Sequence, residues 1–365
     1  MDRHRPGRSL LLPGLLLLLL VFTQPVRSHI VYGTKTLSQL VAEADVVARA
    51  RVIDADAVLV LEGAGKRRPL VAAEILEVIK GPAQPGPVRF VQHGHGVADF
   101  EDGEEVLLFL ERAEHHRELS KLGGAAGVSW VSVQEHDAKF LLTPESREAI
   151  LIATRGYLQA AGAASDERHA ALRKATFAQL SSSDPRLASS AVRDIALAED
   201  PPLVTEADLP ALDFVLASDS TAIGVRVALL AELERRKLLD GSPRWVALLR
   251  STQGRDLRSV IAAAGTHPSP PVYAVLLEIL AGGDADAAAA AAVSLGWPGN
   301  EQAVPALRAS LASRDSRLRM ASIRGLGRIA TPSARKLLEE VAASHPDAGT
   351  RRRARAEAAR LQPND

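Results

Sequence analysis

The 365-residue chain contains no cysteine, few aromatic residues and no net formal charge. Without cysteine, it can form no disulfide, no thiolate nucleophile and no zinc site with cysteine ligands, and it cannot carry a lipid on a cysteine. Phe, Trp and Tyr make up only 4% of the residues, whereas 47% are hydrophobic. That hydrophobic content excludes wholesale disorder, and abundant small aliphatic residues suit closely packed helices.

The N-terminus has the layout of a secretory signal peptide. Three arginines precede a mainly apolar run of 13 residues, 10–22, and a small residue ends the segment at Ser28. The run is too short to span a bilayer as a mature anchor. We therefore expect residues 1–28 to be cleaved and the protein to be exported, to the periplasm or the extracellular space. An uncleaved anchor is the alternative.

Alternating apolar positions predict a β domain over residues 29–145. A short helix is expected at 37–44, and the following "VVARARVI" has the period of two that is typical of a half-buried strand. The segments "LVAAEILEVIKG", "PVRFVQHG", "EEVLLFLER", "VSWVSVQ" and "AKFLLT" supply the other candidate strands. Five or six strands are enough for a small closed barrel, which removes exposed sheet edges.

The motifs "EADVV", "EVIKG" and "GEEVLLFL" occur in this order over about 110 residues. The pattern resembles the netrin-like, or tissue-inhibitor-of-metalloproteinase (TIMP)-like, OB-fold domains of exported bacterial proteins, which implies an OB-like barrel. The metalloproteinase inhibitors of this fold use an N-terminal cysteine to chelate the zinc of their target. This chain has no cysteine, so the resemblance does not imply inhibition.

A repeat with a period of 31 to 35 residues covers 165–362. Six anchor residues are each followed, eleven and twelve positions later, by a pair of small or apolar residues such as Leu326-Gly327. Aspartate caps a helix N-terminus well, and a small residue lets a neighbouring helix approach closely, so stacked two-helix units are expected. The anchors are Asp184, Asp219, Gln253, Asp284, Asp315 and Asp347.

This repeat resembles short HEAT repeats of the kind also seen in phycobilisome lyases, and the resemblance implies an all-α solenoid. It does not imply lyase activity, because many non-enzymes share the stacking pattern. Residues 146–164 are expected to form a connecting helix and linker, with Thr143 as its N-cap and Pro144 at its first position.

Candidate chemistry is sparse, and no catalytic motif or cofactor fingerprint was found. In "QHGHG", His93 and His95 are two residues apart, so an extended strand would direct both imidazoles to one metal ion. His115, His116 or His136 are possible third ligands. The alternative is a polar loop with solvated histidines. We expect no cofactor.

The C-terminal end of the chain is basic, with 13 basic and 7 acidic residues over 301–365, whereas 29–150 holds 13 basic and 19 acidic ones. This predicts an acidic protein partner for the basic end, attracted in a salt-sensitive way. The alternatives are a solvated helix end and head-to-tail association with the acidic barrel of a second copy. Specific nucleic-acid recognition is not expected, since no aromatic residues interleave with the arginines. The candidate partner-binding residues are Arg317, Arg324, Arg328, Arg351, Arg352, Arg353 and Arg355.

Two function classes remain open from sequence. The favoured one is an exported, non-catalytic protein-binding or scaffolding protein that uses the solenoid as an interaction surface. The other is a metal-binding enzyme or protease inhibitor centred on the barrel.

Overall fold

The computed structural model describes six stretches of the chain: 35–61, 66–92, 99–116, 128–133, 139–282 and 284–361. The predicted signal peptide lies outside them. The predicted domain boundaries stay predictions.

The strands are β1 (Val46–Leu61), β2 (Lys66–Lys80), β3 (Gly86–Val91), β4 (Glu105–Arg112), β5 (Trp130–Ser132) and β6 (Lys139–Leu141). The helices are α1 (Leu37–Glu43), α2 (Arg147–Gly162), α3 (Arg168–Leu180), α4 (Pro185–Leu197), α5 (Leu209–Ala217), α6 (Ile223–Arg235), α7 (Ser242–Ser251), α8 (Gly254–Ala264), α9 (Pro270–Gly282), α10 (Ala285–Ser294), α11 (Val304–Ser310), α12 (Ser316–Ile329), α13 (Pro332–Ser344) and α14 (Ala348–Arg360).

Strands β1 to β5 close into a small barrel, which confirms the prediction from the alternating pattern. The order around the barrel is β1-β2-β3-β5-β4, and β4 pairs back onto β1. The neighbours are antiparallel except β3 and β5, which run parallel. β6 pairs with β4 as well. The fold is therefore an OB-like barrel followed by helices.

Two strands of the barrel are buried on both faces, because helices cover part of its outside. Val46 and Leu108 point into the barrel. Their neighbours Val47, Leu107 and Phe109 point outward and pack in a cluster with residues of α1 and α2. This double burial explains the unbroken apolar run of β4, since successive side chains of a strand alternate between its faces.

From α3 onward the helices pack in six consecutive pairs, α3 with α4 through α13 with α14. The second helices of the pairs, α4, α6, α8, α10, α12 and α14, also stack on one another in that order. One hydrophobic cluster runs through the stack from Leu180 to Ala358. Each pair buries its apolar surface against its neighbours, which is how a repeat solenoid is stabilised. The predicted helical solenoid is confirmed.

Four of the six predicted anchors cap their helices through the side chain. Each carboxylate accepts hydrogen bonds from backbone N–H groups two or three residues further on, as at Asp315, where the distance to the Arg317 nitrogen is 2.7 Å. Gln253 occupies the N-cap position of α8 without a side-chain bond. The four capping residues are Asp184, Asp284, Asp315 and Asp347.

One predicted cap is wrong, and two helices begin about one turn later than predicted. Asp219 was expected to cap a helix, but α6 begins at Ile223, because the Thr221 N–H donates to the Ser218 carbonyl and forms a turn there. The α-helix α2 begins at Arg147 rather than at the predicted Pro144. Thr143 still caps the turn that precedes it, because its Oγ1 accepts the Ser146 N–H at 3.3 Å and its carbonyl accepts the Arg147 N–H at 2.9 Å.

Barrel and helices share one hydrophobic cluster. It contains Leu40 of α1, Phe109 of β4, Phe140 of β6, Ile150 of α2 and Leu187 of α4, all nearly inaccessible to solvent. The cluster places strands of the barrel and the first four helices in contact, so these elements stabilise one another.

Hydrogen bonds also join α1 to α4, although more than 150 residues separate them. The Leu37 N–H donates to Ser190 Oγ at 2.7 Å. Ser38 Oγ donates to Asp194 Oδ1 at 2.6 Å. These bonds fix the first helix of the described chain on the first two-helix unit of the solenoid.

A network of ion pairs adds to this junction. Arg49 of β1 contacts Glu77 of β2 and Glu105 of β4 at 3.4 and 3.1 Å. From α2, Arg147 contacts Glu105 at 3.1 Å and Arg155 contacts Glu77 at 2.7 Å. Because both carboxylates are shared, the network ties α2 to three strands.

Among the helices of the described residues, none combines the length and the hydrophobicity that a membrane span requires.

Candidate partner-binding surface

The second helices of the repeats expose corresponding positions. Residues two, five and nine positions after the N-cap lie on one side of an α-helix. On α12 these are Arg317, Met320 and Arg324, and each is at least partly exposed. The repeat therefore builds a surface in which each second helix contributes one row of side chains.

An open groove lies between α10 and α12, with a volume of about 450 Å³. Small and apolar side chains form its floor, and two arginines of α12 stand at its rim. We call it the α10–α12 groove. Its lining residues are Ala289, Ala290, Val293, Ser316, Arg317, Met320, Ala321 and Arg324.

The groove depends on the close approach of the two helices. A Cβ atom on Gly325 would lie 2.3 Å from the Ala292 carbonyl oxygen, so only glycine fits where α12 crosses α10. At Gly327, the group closest to such a Cβ is the carboxylate of Glu357 on α14, at 2.8 Å. Gly325 is therefore the tightest contact between these helices, and it lies two residues before Gly327 of the predicted Leu326-Gly327 pair.

Arg317 is held in a ladder of charges across three repeats. Its guanidinium contacts Asp286 of α10 at 2.7 Å and the capping Asp315 at 3.3 Å. Arg258 of α8 contacts the same Asp286 at 3.4 Å. The charge of Arg317 is therefore largely balanced within the solenoid.

Arg324 and Arg328 are different. Arg324 is exposed and makes no ion pair or hydrogen bond with any described residue. Arg328 donates to the Val293 carbonyl at 3.3 Å, a contact that orients the guanidinium without neutralising it. Both leave net positive charge on the exposed side of α12.

The four predicted arginines of α14 also divide into two kinds. Arg353 pairs with the buried Glu357 at 2.6 Å. Arg351 donates to the carbonyls of the preceding loop, at 2.6 and 2.9 Å, and Arg355 donates more weakly to the Ala342 carbonyl at 3.4 Å. Arg352 is exposed and makes no bond with any described residue. Among the seven predicted arginines, Arg324 and Arg352 are thus the two that are exposed and bond to no described residue.

The predicted metal ligands His93 and His95 lie outside the described residues. Within those residues no group of three or more His, Asp or Glu side chains is placed to hold a metal ion. His116, one of the possible third ligands, pairs with Glu111 at 3.0 Å.

Sequence reasoning missed a buried polar cluster at the junction of α1 to α4. Asp194 is 6% exposed, and burial raises the pKa of its carboxyl, an effect opposed by the hydrogen bond from Ser38. Burial, followed by the negative charge of Asp194, also raises the pKa of Tyr157. Asp194 Oδ2, Tyr157 Oη and Thr176 Oγ1 are buried without a hydrogen-bond partner among the described residues. The signal in the sequence is a carboxylate one position before Ile195, on the apolar side of a predicted helix.

One family model matches part of the helical region. Residues 273–360 match the family model for HEAT repeats. No curated protein matches the chain significantly. Among solved structures, the crystal structure of an engineered protein from the Northeast Structural Genomics Consortium is 20% identical, with 52% of this chain and 96% of that one covered and a TM-score of 0.34. Human deoxyhypusine hydroxylase in complex with glycerol is 17% identical, with 60% and 92% covered and a TM-score of 0.29. The strand order, the stacked helix pairs and the family-model match together describe an OB-like barrel followed by a HEAT-like solenoid.

Proposed function

We propose that this is an exported, non-catalytic binding or scaffolding protein, and that its solenoid carries the interaction surface for an acidic protein partner. HEAT repeats commonly present extended surfaces to other proteins. The observation that carries the proposal is the unpaired charge on consecutive second helices, at Arg324 of α12 and Arg352 of α14. Unpaired guanidinium groups on a rigid scaffold attract an acidic surface and fix its register.

The structure shows how to test the surface without disturbing the fold. Arg351 and Arg353 should be left unchanged, because they bond to the chain itself. The double variant Arg324→Glu/Arg352→Glu is expected to lose salt-sensitive capture of protein partners from an extract of the source organism. Lys336→Glu is the matched control, since it reverses an exposed charge on α13 that makes no ion pair with any described residue. Equal capture by the double variant and the wild type would contradict the proposal.

Export is tested separately. We expect the intact mass of the secreted protein to correspond to a chain that begins near His29. A mass that retains residues 1–28 would contradict cleavage. Stoichiometric metal in the purified protein would instead favour the alternative of a metal-dependent enzyme or inhibitor centred on the barrel.

A further inference from the structure

One segment of β1 exposes apolar and acidic side chains together. We call residues 53–58 the β1 arm. Ile53 and Val58 are 55% and 51% exposed, which is unusual for large aliphatic side chains. Asp54 and Asp56 are also exposed and form no ion pair with any described residue. The arm is therefore an apolar surface with uncompensated negative charge.

The irregular pairing of β1 explains this exposure. Its register against β2 shifts between Val52 and Asp54 and again between Asp54 and Ala57. Such irregularities redirect side chains, and here Ile53 and Asp54 are both exposed although they are neighbours in the strand. The Asp56 N–H donates to Asp54 Oδ1 at 3.1 Å, which stabilises the local conformation.

More negative charge lies beside the arm. Asp102, in the turn before β4, accepts the Ala55 N–H at 2.9 Å, so its carboxylate adjoins the arm. Glu101 is its exposed neighbour. Neither forms an ion pair with any described residue. Four carboxylates thus gather at this end of the barrel.

The α10–α12 groove has the complementary chemistry. Its floor is formed by Ala289, Ala290, Val293 and Met320, and the unpaired Arg324 stands at its rim. Within one molecule the exposed Ile53 and the open groove are not in contact. An extended acidic strand with an aliphatic side chain matches such a groove in both polarity and charge.

We infer that the β1 arm of one copy of this protein docks into the α10–α12 groove of a second copy, with Ile53 on the groove floor and Asp54 and Asp56 facing Arg324. The inference rests on the proposed function in that it uses the same unpaired Arg324, but it depends neither on export nor on an outside partner. The contact joins two different surfaces, so it is head-to-tail and leaves an arm and a groove free at the two ends. Self-association should therefore rise with protein concentration beyond the dimer, and it should weaken with salt, which screens exposed charges.

The test is sedimentation velocity of the purified protein over a range of concentrations, at about 50 mM and about 500 mM NaCl. An arm variant, Ile53→Ser/Asp54→Asn/Asp56→Asn, and a groove variant, Met320→Ser/Arg324→Gln, should each raise the dissociation constant by about tenfold or more. Mixing the two variants should restore one contact, because the intact arm of one meets the intact groove of the other. The mixture is then expected to form dimers but no larger species.

Two matched controls keep the test specific. Ile152→Ser removes an equally exposed isoleucine from α2, at 55% exposure, and Lys336→Glu reverses a charge on α13. Both should associate like the wild type. Circular dichroism of each variant checks that its fold is retained. A wild type that stays monomeric at low salt, association unchanged in the arm variant, or a mixture without dimers would each overturn the inference.

Discussion

Single positions set the spacing of the solenoid helices. At Gly325 a methyl group would meet the backbone of α10, which cannot move without separating two helices, whereas at Gly327 it would meet the end of a flexible side chain. The same substitution should therefore have different effects two residues apart.

We expect Gly325→Ala to lower the free energy of unfolding by about 1–3 kcal/mol, as overpacking does in well-packed cores. Gly327→Ala should lower it less, because Glu357 can shift. Gly224→Ala is the control: a methyl group at this position of α6 meets open space, so stability should be unchanged or slightly higher. Urea unfolding measures all three. An equal loss in Gly325→Ala and Gly224→Ala would refute the close-contact assignment.

The buried Asp194 gives a pH dependence of defined sign. Because burial raises its pKa in the folded state, the folded protein binds a proton more tightly than the unfolded chain does. Between the unfolded pKa of about 3.9 and the raised folded value, rising pH lowers the free energy of unfolding through this group.

Asp194→Asn removes this titration while keeping an oxygen that can accept the Ser38 hydroxyl. Relative to the wild type, the variant should become more stable as pH rises from about 4 to about 7. Denaturant unfolding at both pH values gives the difference. A difference that is independent of pH at Asp194 would rule out a titrating buried carboxyl.

At the scale of helices and strands, much was predictable from local chemistry. Aspartates at a period of 31 to 35 residues predicted the second helices because capping depends on the nearest residues alone. The predicted cap at Asp219 was wrong because the turn before α6 uses the same backbone groups. The pairing of Arg317 with Asp286, 31 residues apart, could not be read from one helix, since it exists only once the repeats are stacked. The parallel pairing of β3 with β5 is non-local for the same reason.

The cap of α12 provides a prediction at this scale. Hydrogen bonding from the Arg317 backbone N–H lowers the pKa of Asp315, and burial opposes this effect. Asp315→Ala should lower the free energy of unfolding at neutral pH, because it removes the acceptor of the Arg317 backbone N–H. Asp315→Asn should retain most of the stabilisation that Asp315→Ala loses. Because the folded pKa is depressed, the stabilisation should decline as pH falls through that value.

Asp219→Ala is the control for this prediction. Asp219 lies outside α6, and its contact with Arg226 at 3.4 Å is exposed on the carboxylate side. We expect its removal to change stability by only a few tenths of a kcal/mol. A loss as large as that of Asp315→Ala would restore Asp219 as a helix cap.

For the whole molecule, the hydrophobic cluster at the junction and the one along the solenoid predict different responses to a destabilising substitution. The barrel, α1 and the first helices share one cluster, whereas the later helices touch only their neighbours in the stack. A destabilising substitution near the junction should therefore lower the local stability of the barrel as well, whereas one near the C-terminal end should affect only the neighbouring helices.

Hydrogen exchange read by mass spectrometry tests this difference. Ile150→Ala, in the junction cluster, should reduce protection in β4 and α4 together, with a loss of about 2–5 kcal/mol at the site. Leu338→Ala on α13 should reduce protection in α13 and α14 while the barrel stays protected. Both side chains are almost completely buried, so the truncations are comparable. Loss of barrel protection in Leu338→Ala would show that the molecule unfolds as a single unit.

The bonds from α1 to α4 also have a consequence for biosynthesis. The Leu37 N–H and the Ser38 hydroxyl find their acceptors 153 and 156 residues later in the chain. At translation rates of about 5–20 residues per second, the partner residues are polymerised roughly 8 to 30 s after α1. During that interval α1 and the outward faces of β1 and β4 have no α4 to pack against. A nascent chain arrested before residue 184 should therefore expose this apolar surface to chaperones, and one arrested well after residue 197 should not.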